Sequence, residues 1–292
     1  MGLTLQRLLD EAAAKLSEAG IADALLDARL LLFHVYRMDM ARWLLERNRP
    51  LGDGPQEEER RLIFCRLVEE RAKRIPLQHL TGSQEFMGLE FKVNEQVLIP
   101  RQDTETLVEL VLKEQKDPQR SVLDLCTGSG CIAVSLAVLG GYREVTASDL
   151  SEEALKVARE NAERLCGGPD RIEFLCGDLF ESIPDGRKFD IIVSNPPYIS
   201  SRVIRELEPE VRDHEPRMAL DGTEDGLYFY RRLASECKRY LNPGGCVYFE
   251  IGYDQALAVE ELLIEAGFTR IETVKDLPGL DRVVRADAGR NV

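Results

Sequence analysis

Residues 121–139 read Ser121-Val-Leu-Asp-Leu125-Cys-Thr-Gly128-Ser-Gly130-Cys-Ile-Ala-Val-Ser-Leu-Ala-Val-Leu139. A short apolar run, a turn with two glycines and a longer apolar stretch predict a strand over Ser121–Leu125, a tight loop, and a helix over Cys131–Leu139. Doubly wound sheets bind nucleotides at such loops, outside the carboxyl ends of their strands. Gly128 and Gly130 lack the Cβ that would hold a ligand away from the backbone. With Ala133 in the place of a third glycine, the loop by itself fits either NAD or S-adenosyl-L-methionine.

Outward from this loop the pattern alternates. Helices are predicted over Asp103–Glu114, Glu152–Leu165, Glu224–Tyr240 and Gln255–Ala266. Strands are predicted over Glu144–Asp149, Ile172–Cys176, Phe189–Ser194, Cys246–Ile251, Thr269–Lys275 and Arg282–Arg285. The alternation implies an α/β fold, a Rossmann-like, doubly wound, mostly parallel seven-stranded sheet with helices on both faces. The last two strands, with no full helix between them, suggest an antiparallel hairpin at the sheet edge. Upstream, residues 3–75 carry helical periodicity: Leu5, Leu8, Leu9 and Ala12 on one face, a second helix over Ala24–Tyr36, and a third over Arg60–Arg74 with Leu62, Ile63, Leu67 and Val68 inward. Pro76 is expected to stop that third helix. Leu80–Pro100, with Phe86, Phe91 and Val93 among Gly82, Gly88 and Asn94, reads as a short β-hairpin. The expected organisation is a helical domain over 1–75, a hairpin connector over 76–102 and a catalytic domain over 103–292.

Composition narrows the partners. The net charge is −14. Residues 1–80 are neutral, with thirteen acidic and thirteen basic side chains, so the whole excess falls on the rest of the chain. An acidic body repels nucleic acid at long range, and no direct nucleic-acid binding is expected. The basic residues of the first segment are eleven Arg and two Lys, and Arg is the richer contact residue at protein interfaces. No apolar run approaches the roughly 20 residues that cross a bilayer. Asp10, Glu11 and Glu18 make the start an amphipathic helix rather than a signal peptide, so no membrane association and a cytoplasmic location are expected. Seven cysteines with no C-x-x-C pair and three scattered histidines argue against a disulfide framework and against a metal site. The cysteines read as small buried thiols.

Two acids sharpen the cofactor reading. Asp149 ends the second strand about 20 residues past the glycines, where a carboxylate accepts bonds from ribose hydroxyls. Asp178, followed by Leu179, comes after the third strand, where a side chain or backbone group can meet an adenine edge. Together they outline an adenosine pocket.

The next strand ends in Asp190-Ile-Ile-Val-Ser-Asn195-Pro196-Pro197-Tyr198. Two prolines stiffen the backbone and leave their carbonyls free, and Asn195 adds a side-chain carbonyl. Two rigid acceptors suit a conjugated NH2, whose nitrogen is a poor nucleophile. They take both its hydrogens and aim it at a methyl group on a departing sulfur, so the catalysis is positioning and electrostatics. Asn195, Pro196 and Tyr198 are therefore the catalytic candidates, with Tyr198 packing on the flat substrate or near the sulfonium. Adenine N6, cytosine N4 and a glutamine amide all satisfy this chemistry.

Ile99-Pro-Arg-Gln-Asp-Thr-Glu105, Asn195-Pro-Pro-Tyr198, Val211-Arg-Asp-His-Glu-Pro-Arg-Met-Ala-Leu220, Asp225-Gly and Tyr230-Arg-Arg together resemble the release-factor glutamine methyltransferase family. The resemblance runs over nearly the full length, with Gln102 in place of the usual proline and Cys126 in place of the usual first loop glycine. It implies a class I methyltransferase domain behind a helical N-terminal domain. It implies S-adenosyl-L-methionine as cofactor, S-adenosyl-L-homocysteine as product, and the Gly-Gly-Gln glutamine of peptide chain release factors as substrate. By the same resemblance Cys126, Thr127, Gly128, Ser129, Gly130, Asp149 and Asn195 bind cofactor, and Asn195, Pro196, Pro197 and Tyr198 hold the glutamine. Arg101 either shapes the site or pairs with a nearby carboxylate. The alternative to a protein substrate, methylation of adenine N6 in nucleic acid, calls for a basic face and a segment that handles a flipped base.

Overall fold

Thr4 and Asp39 each turn a side-chain oxygen onto the backbone N–H three residues on, at Arg7 and Arg42, and a helix starts after each. A computed structural model describes residues 3–289. Its contacts divide the chain into two units, one running to Gly82 with Glu208–His214 added, the other Ser83–Leu207 with Glu215 onward.

The first unit opens with α1 (Leu5–Glu18), α2 (Ala24–Tyr36), α3 (Met40–Glu46), α4 (Pro55–Ala72) and α5 (Leu77–Thr81). Leu5, Leu8, Leu9, Ala12 and Leu16 bury one face of α1 in a core shared with α2 and α4. Leu62 and Ile63, expected inward, are 62% and 37% exposed. The buried face of α4 is instead Phe64, Leu67, Val68 and Arg71, because the larger aromatic side chain takes the core and turns the stripe with it. Pro76 does not stop the long helix. That helix ends at Ala72, Arg74 adopts a left-handed φ of 72°, and Pro76 caps α5, which the periodicity did not suggest.

The second unit begins with the hairpin β1 (Ser83–Phe86) and β2 (Leu89–Lys92). Its two-residue turn, Met87-Gly88, has φ of 53° and 72°, the left-handed pair that matches strand twist. In chain order there follow α6 (Gln102–Glu114), β3 (Val122–Leu125), α7 (Cys131–Leu139), β4 (Val145–Asp149), α8 (Glu152–Leu165), β5 (Ile172–Cys176), β6 (Phe189–Ser194), then α9 (Pro209–His214) of the first unit, and again in the second α10 (Arg217–Leu220), α11 (Tyr228–Tyr240), β7 (Leu241–Glu250), α12 (Ala256–Glu265), β8 (Thr269–Lys275) and β9 (Asp281–Asp287). The seven-stranded sheet has the order β5-β4-β3-β6-β7-β9-β8. Its first five strands are parallel, and β9 runs antiparallel to both neighbours. The closing hairpin is therefore at the edge, with the last strand on its inner side.

Side-chain alternation builds the layers. Val122, Ile191, Val193, Cys246 and Tyr248 face α6 and α7, whereas Leu123, Leu125, Ile192, Val247 and Phe249 face α11 and α12. The helix expected from Glu224 starts four residues later. Gly226 at φ 76° and the Asp225 side chain, which accepts from Leu227 N, hold a turn there. β7 begins at Leu241 rather than Cys246, because the Asn242-Pro-Gly-Gly245 stretch forms a bulge against β6.

α9 belongs by its contacts to the first unit. Arg71 Nη2 donates to Glu210 Oε1 at 2.9 Å, Arg74 Nε donates to Glu210 Oε2 at 3.0 Å, and Arg71 Nε donates to Asp27 Oδ2 at 2.7 Å. All seven cysteines are free. Cys131, Cys237 and Cys246 are buried, but Cys65 and Cys176 are exposed, contrary to the uniform burial expected. Among the described residues no helix is long and apolar enough to cross a membrane.

Candidate active site

Strand register brings the candidate residues together. Leu125 pairs with Ser148 on one side and Ser194 on the other, so Cys126 leaves its strand between Asp149 and Asn195. Asp149 pairs in turn with Cys176, two residues before Asp178. Every one of these positions lies at the carboxyl end of a parallel strand, around the point where the strand order reverses.

The loop is shaped by left-handed residues at Cys126 (φ 61°), Gly128 (φ 55°) and Gly130 (φ 80°). The two glycines serve different ends. A Cβ on Gly128 would meet nothing within 4 Å, whereas one on Gly130 would sit 3.0 Å from the Ala158 methyl. Gly128 keeps the backbone open to a ligand, and Gly130 lets α7 approach α8. Asp149 is locked from both sides: its Oδ2 accepts from Gly128 N and its Oδ1 from Ser151 N, each at 2.9 Å. Burial raises its pKa above the usual carboxylate value, opposed by the backbone donors of Ser151, Gly128 and Leu150. Beneath the loop Asp124 is fully buried. Its Oδ2 accepts from Thr127 Oγ1 at 2.6 Å and Ala133 N at 3.2 Å, and its Oδ1 has no hydrogen-bond partner among the described residues. Burial pushes this carboxyl up to about 7.

A cavity of about 370 Å³ opens here, within the range of small-molecule sites. Of the cofactor candidates, Cys126, Gly128, Asp149, Asp178, Leu179 and Asn195 line it. Thr127, Ser129 and Gly130 are buried in the loop behind it. The Asp178 carboxylate is held by Arg232 Nη1, 2.8 Å from both oxygens, so its charge is already matched. The open floor at Gly128, a carboxylate anchored at the cavity wall and the mixed polar and apolar lining fit an adenosine-bearing cofactor.

The Asn195–Tyr198 motif forms the wall between two cavities. Asn195 and Pro197 line the first; Tyr198 lines a second of about 470 Å³ with Tyr253, Gln255 and Arg282. Asn195 Nδ2 donates to Thr104 Oγ1 at 3.3 Å, which leaves Oδ1 as the uncommitted acceptor of the amide. The Tyr198 hydroxyl donates to Glu250 Oε1 at 3.3 Å, and its backbone carbonyl accepts from Gln255 Nε2 at 3.0 Å. Gly222 and Gly226 pack on the motif so closely that a Cβ on either would overlap Pro197 or Tyr198 backbone atoms. Burial raises the Tyr198 hydroxyl well above its ordinary pKa, and the neighbouring Glu250 adds to the rise. Arg101 pairs with a carboxylate, Glu215, at 2.6 Å.

Thr104, Arg232, Glu215 and Glu250 were not singled out in the sequence. Thr104, Glu215 and Arg232 lie inside the quoted Ile99–Glu105, Val211–Leu220 and Tyr230-Arg-Arg stretches, without a role given to any of them. Glu250 had one visible signal: a carboxylate ending an otherwise apolar strand.

Residues 7–82 match the model of the PrmC N-terminal domain and residues 102–207 that of the methyltransferase small domain. A release factor glutamine methyltransferase from Geobacter sulfurreducens is 42% identical over 98% of this chain and 97% of its own. The chain belongs to the release factor glutamine methyltransferase family. A second member, from Moorella thermoacetica, is 43% identical over 96% of this chain and 97% of its own. A crystal structure of a methyltransferase from Pyrococcus furiosus shares the fold, with a TM-score of 0.55 at 21% identity, covering 76% of this chain and 99% of that one.

Proposed function

We propose that the protein transfers a methyl group from S-adenosyl-L-methionine to the side-chain amide nitrogen of the glutamine in the Gly-Gly-Gln motif of peptide chain release factors. The observation that carries this reading is the match to relatives named for that activity along the whole chain, the helical unit included. A methyltransferase acting on adenine shares the Asn-Pro-Pro-Tyr chemistry but has no need of that helical segment.

Bound in the first cavity, S-adenosyl-L-methionine supplies a methyl group on a positively charged sulfur. Cys126, Gly128, Asp149, Asp178, Leu179 and Asn195 hold it, Asp149 as the acceptor for ribose hydroxyls. Thr127, Ser129 and Gly130 give the loop its shape. Asn195 Oδ1 and the Pro196 carbonyl accept the two amide hydrogens of the glutamine and point its nitrogen at the methyl carbon. Pro197 and Tyr198 keep that backbone stiff. The nitrogen becomes strongly acidic once it carries the methyl group, so its proton passes to water without a strong base.

The helical unit docks the release factor. It has its own core, it carries eleven arginines before residue 80, and Leu25, Leu26 and Leu30 on α2 are exposed apolar side chains. Such a surface supplies the extra contacts that a single glutamine cannot.

Labelled cofactor incubated separately with release factor and with DNA tests the reading. Label on the Gly-Gly-Gln glutamine is expected; label on adenine would replace the protein substrate with nucleic acid. Asn195→Ala is expected to lower the single-turnover rate at saturating substrate more than it weakens substrate binding.

A further inference from the structure

Two stretches far apart in the chain contribute to the wall of the first cavity. Gln96, Val97 and Leu98 line it shortly before α6, and Pro216, Met218 and Ala219 line it at the start of α10. The second stretch has little to hold it by itself: α10 is four residues long, and Met218 is half exposed. Its downstream end is fastened beside the Asn-Pro-Pro-Tyr motif. Ile199 N donates to Leu220 O at 3.0 Å, Gly222 N donates to Ile199 O at 2.8 Å, and Ser201 Oγ donates to Asp221 Oδ1 at 2.6 Å. At its upstream end the chain has just left α9, which belongs to the first unit, and it re-enters the second unit at Glu215.

Arg101 meets the chain at that point. Its Nη2 donates to Glu215 Oε1 at 2.6 Å. One ion pair thus joins the two stretches, three residues after Leu98 on one side and one residue before Pro216 on the other. The partners are unequal. The Glu215 side chain is 1% exposed and that of Arg101 is 37% exposed. Burial raises the Glu215 carboxyl above its ordinary pKa, and Arg101 opposes the rise. A buried carboxylate that loses its cation must take a proton or draw in water, whereas a part-exposed guanidinium that loses its anion is simply hydrated.

We propose that Arg101 is a positioning residue that, through Glu215, holds the α10 wall on the cofactor cavity and so sets how slowly S-adenosyl-L-methionine leaves. The inference rests on the cofactor reading given above. Neither Arg101 nor Glu215 lines the cavity, so the effect passes through the backbone on either side of the pair. Losing the pair frees the start of α10, while the bonds at Leu220, Asp221 and Gly222 keep its other end in place. What gives way is one edge of the wall and not the fold. Retention of a bound cofactor then suffers more than its entry does.

Full-length protein loaded with labelled S-adenosyl-L-methionine and chased with unlabelled cofactor gives the dissociation rate. Arg101→Met is expected to raise that rate about tenfold to a hundredfold and to change the association rate less than about threefold. Glu215→Gln leaves no buried charge and should raise dissociation only about threefold. The double variant should match Glu215→Gln, because removing the buried charge rescues the loss of Arg101. A pair that served only the fold would lower the melting temperature and leave the dissociation rate alone. A wild-type dissociation rate in Arg101→Met overturns the proposal, as does a double variant as fast as Arg101→Met. If Arg101→Met does not fold, an unchanged rate in Glu215→Gln overturns it. Amide exchange in the cofactor-free protein reads the wall directly through Ala219 and Asp221, whose N–H groups bond within the α10 segment to Pro216 O and Arg217 O. Both should exchange faster in the two single variants than in wild type, and equal rates would show that the pair holds nothing there. Wild-type protein that binds no S-adenosyl-L-methionine sinks the cofactor reading instead, while exchange still decides whether the pair holds the wall.

Discussion

Asp149 has two duties in the structure: it faces the cavity, and it ties Gly128 N and Ser151 N to β4. Asp149→Ala is expected to weaken S-adenosyl-L-methionine binding by about 1.5–3 kcal/mol, the worth of a charge-assisted bond, in a protein that stays folded. An unchanged dissociation constant by calorimetry would remove Asp149 from the ribose. Asp124 makes a prediction about stability. Its folded-state pKa of about 7 lies above the ordinary 3.8. Between those values the native state holds the proton more tightly than the unfolded chain, so the contribution is fully present below about pH 4 and is lost as pH rises through about 7. Asp124→Asn keeps an acceptor for Thr127 and Ala133 but cannot ionise. Denaturant titrations at pH 5 and 8 should show the variant gaining on wild type at the higher pH, by on the order of a few kcal/mol. A difference that does not change with pH would mean that Asp124 stays charged.

Among the elements, the strand ends and the glycine turns were legible because each leaves a local mark. Alternation of two, a glycine pair and an apolar run ending in Asn-Pro-Pro located β3, α7, β4 and β6 to within a residue. The misreadings share one cause: tertiary contact outweighed local pattern. Phe64 displaced Ile63 from the core, and Asp225 with Gly226 delayed α11, although the composition from Glu224 onward suits a helix. The roles of Thr104 and Glu250 were hidden for a related reason, since no spacing in the chain announces that α6 and β7 pack together. The glycine contacts on the motif can be tested as an element. Gly226→Ala adds a methyl against the Tyr198 carbonyl at a left-handed φ of 76°. It should cost about 2–4 kcal/mol and depress methyl transfer more than cofactor affinity. Gly186→Ala is the control, with φ 80° and nothing within 4 Å of the added carbon, and should cost only the backbone share of about 1–2 kcal/mol. Equal thermal shifts in the two would show that the contact with Tyr198 is slack.

At the scale of the whole molecule the two units have separate cores, and each proposed duty falls on one of them. A chain starting at Ser83 is expected to fold and to bind S-adenosyl-L-methionine normally. Methylation of intact release factor should fall far more than methylation of a short glutamine peptide. Equal losses on both substrates would end the docking proposal, and an insoluble product would assign the helices to covering an apolar face. The membership of α9 in the helical unit has a consequence for biosynthesis. Arg71 and the carboxylate of Glu210 are 139 positions apart. At the usual pace of roughly 5–20 residues per second, the ribosome delivers Glu210 roughly 7–28 s after Arg71. During that interval the helices can collapse on their leucines, and Asp27 can claim one edge of the guanidinium, but the other edge and Arg74 wait for an anion not yet made. The N-terminal unit of this chain is thus begun first and finished only after β6 and the Asn195 motif that follows it have been translated.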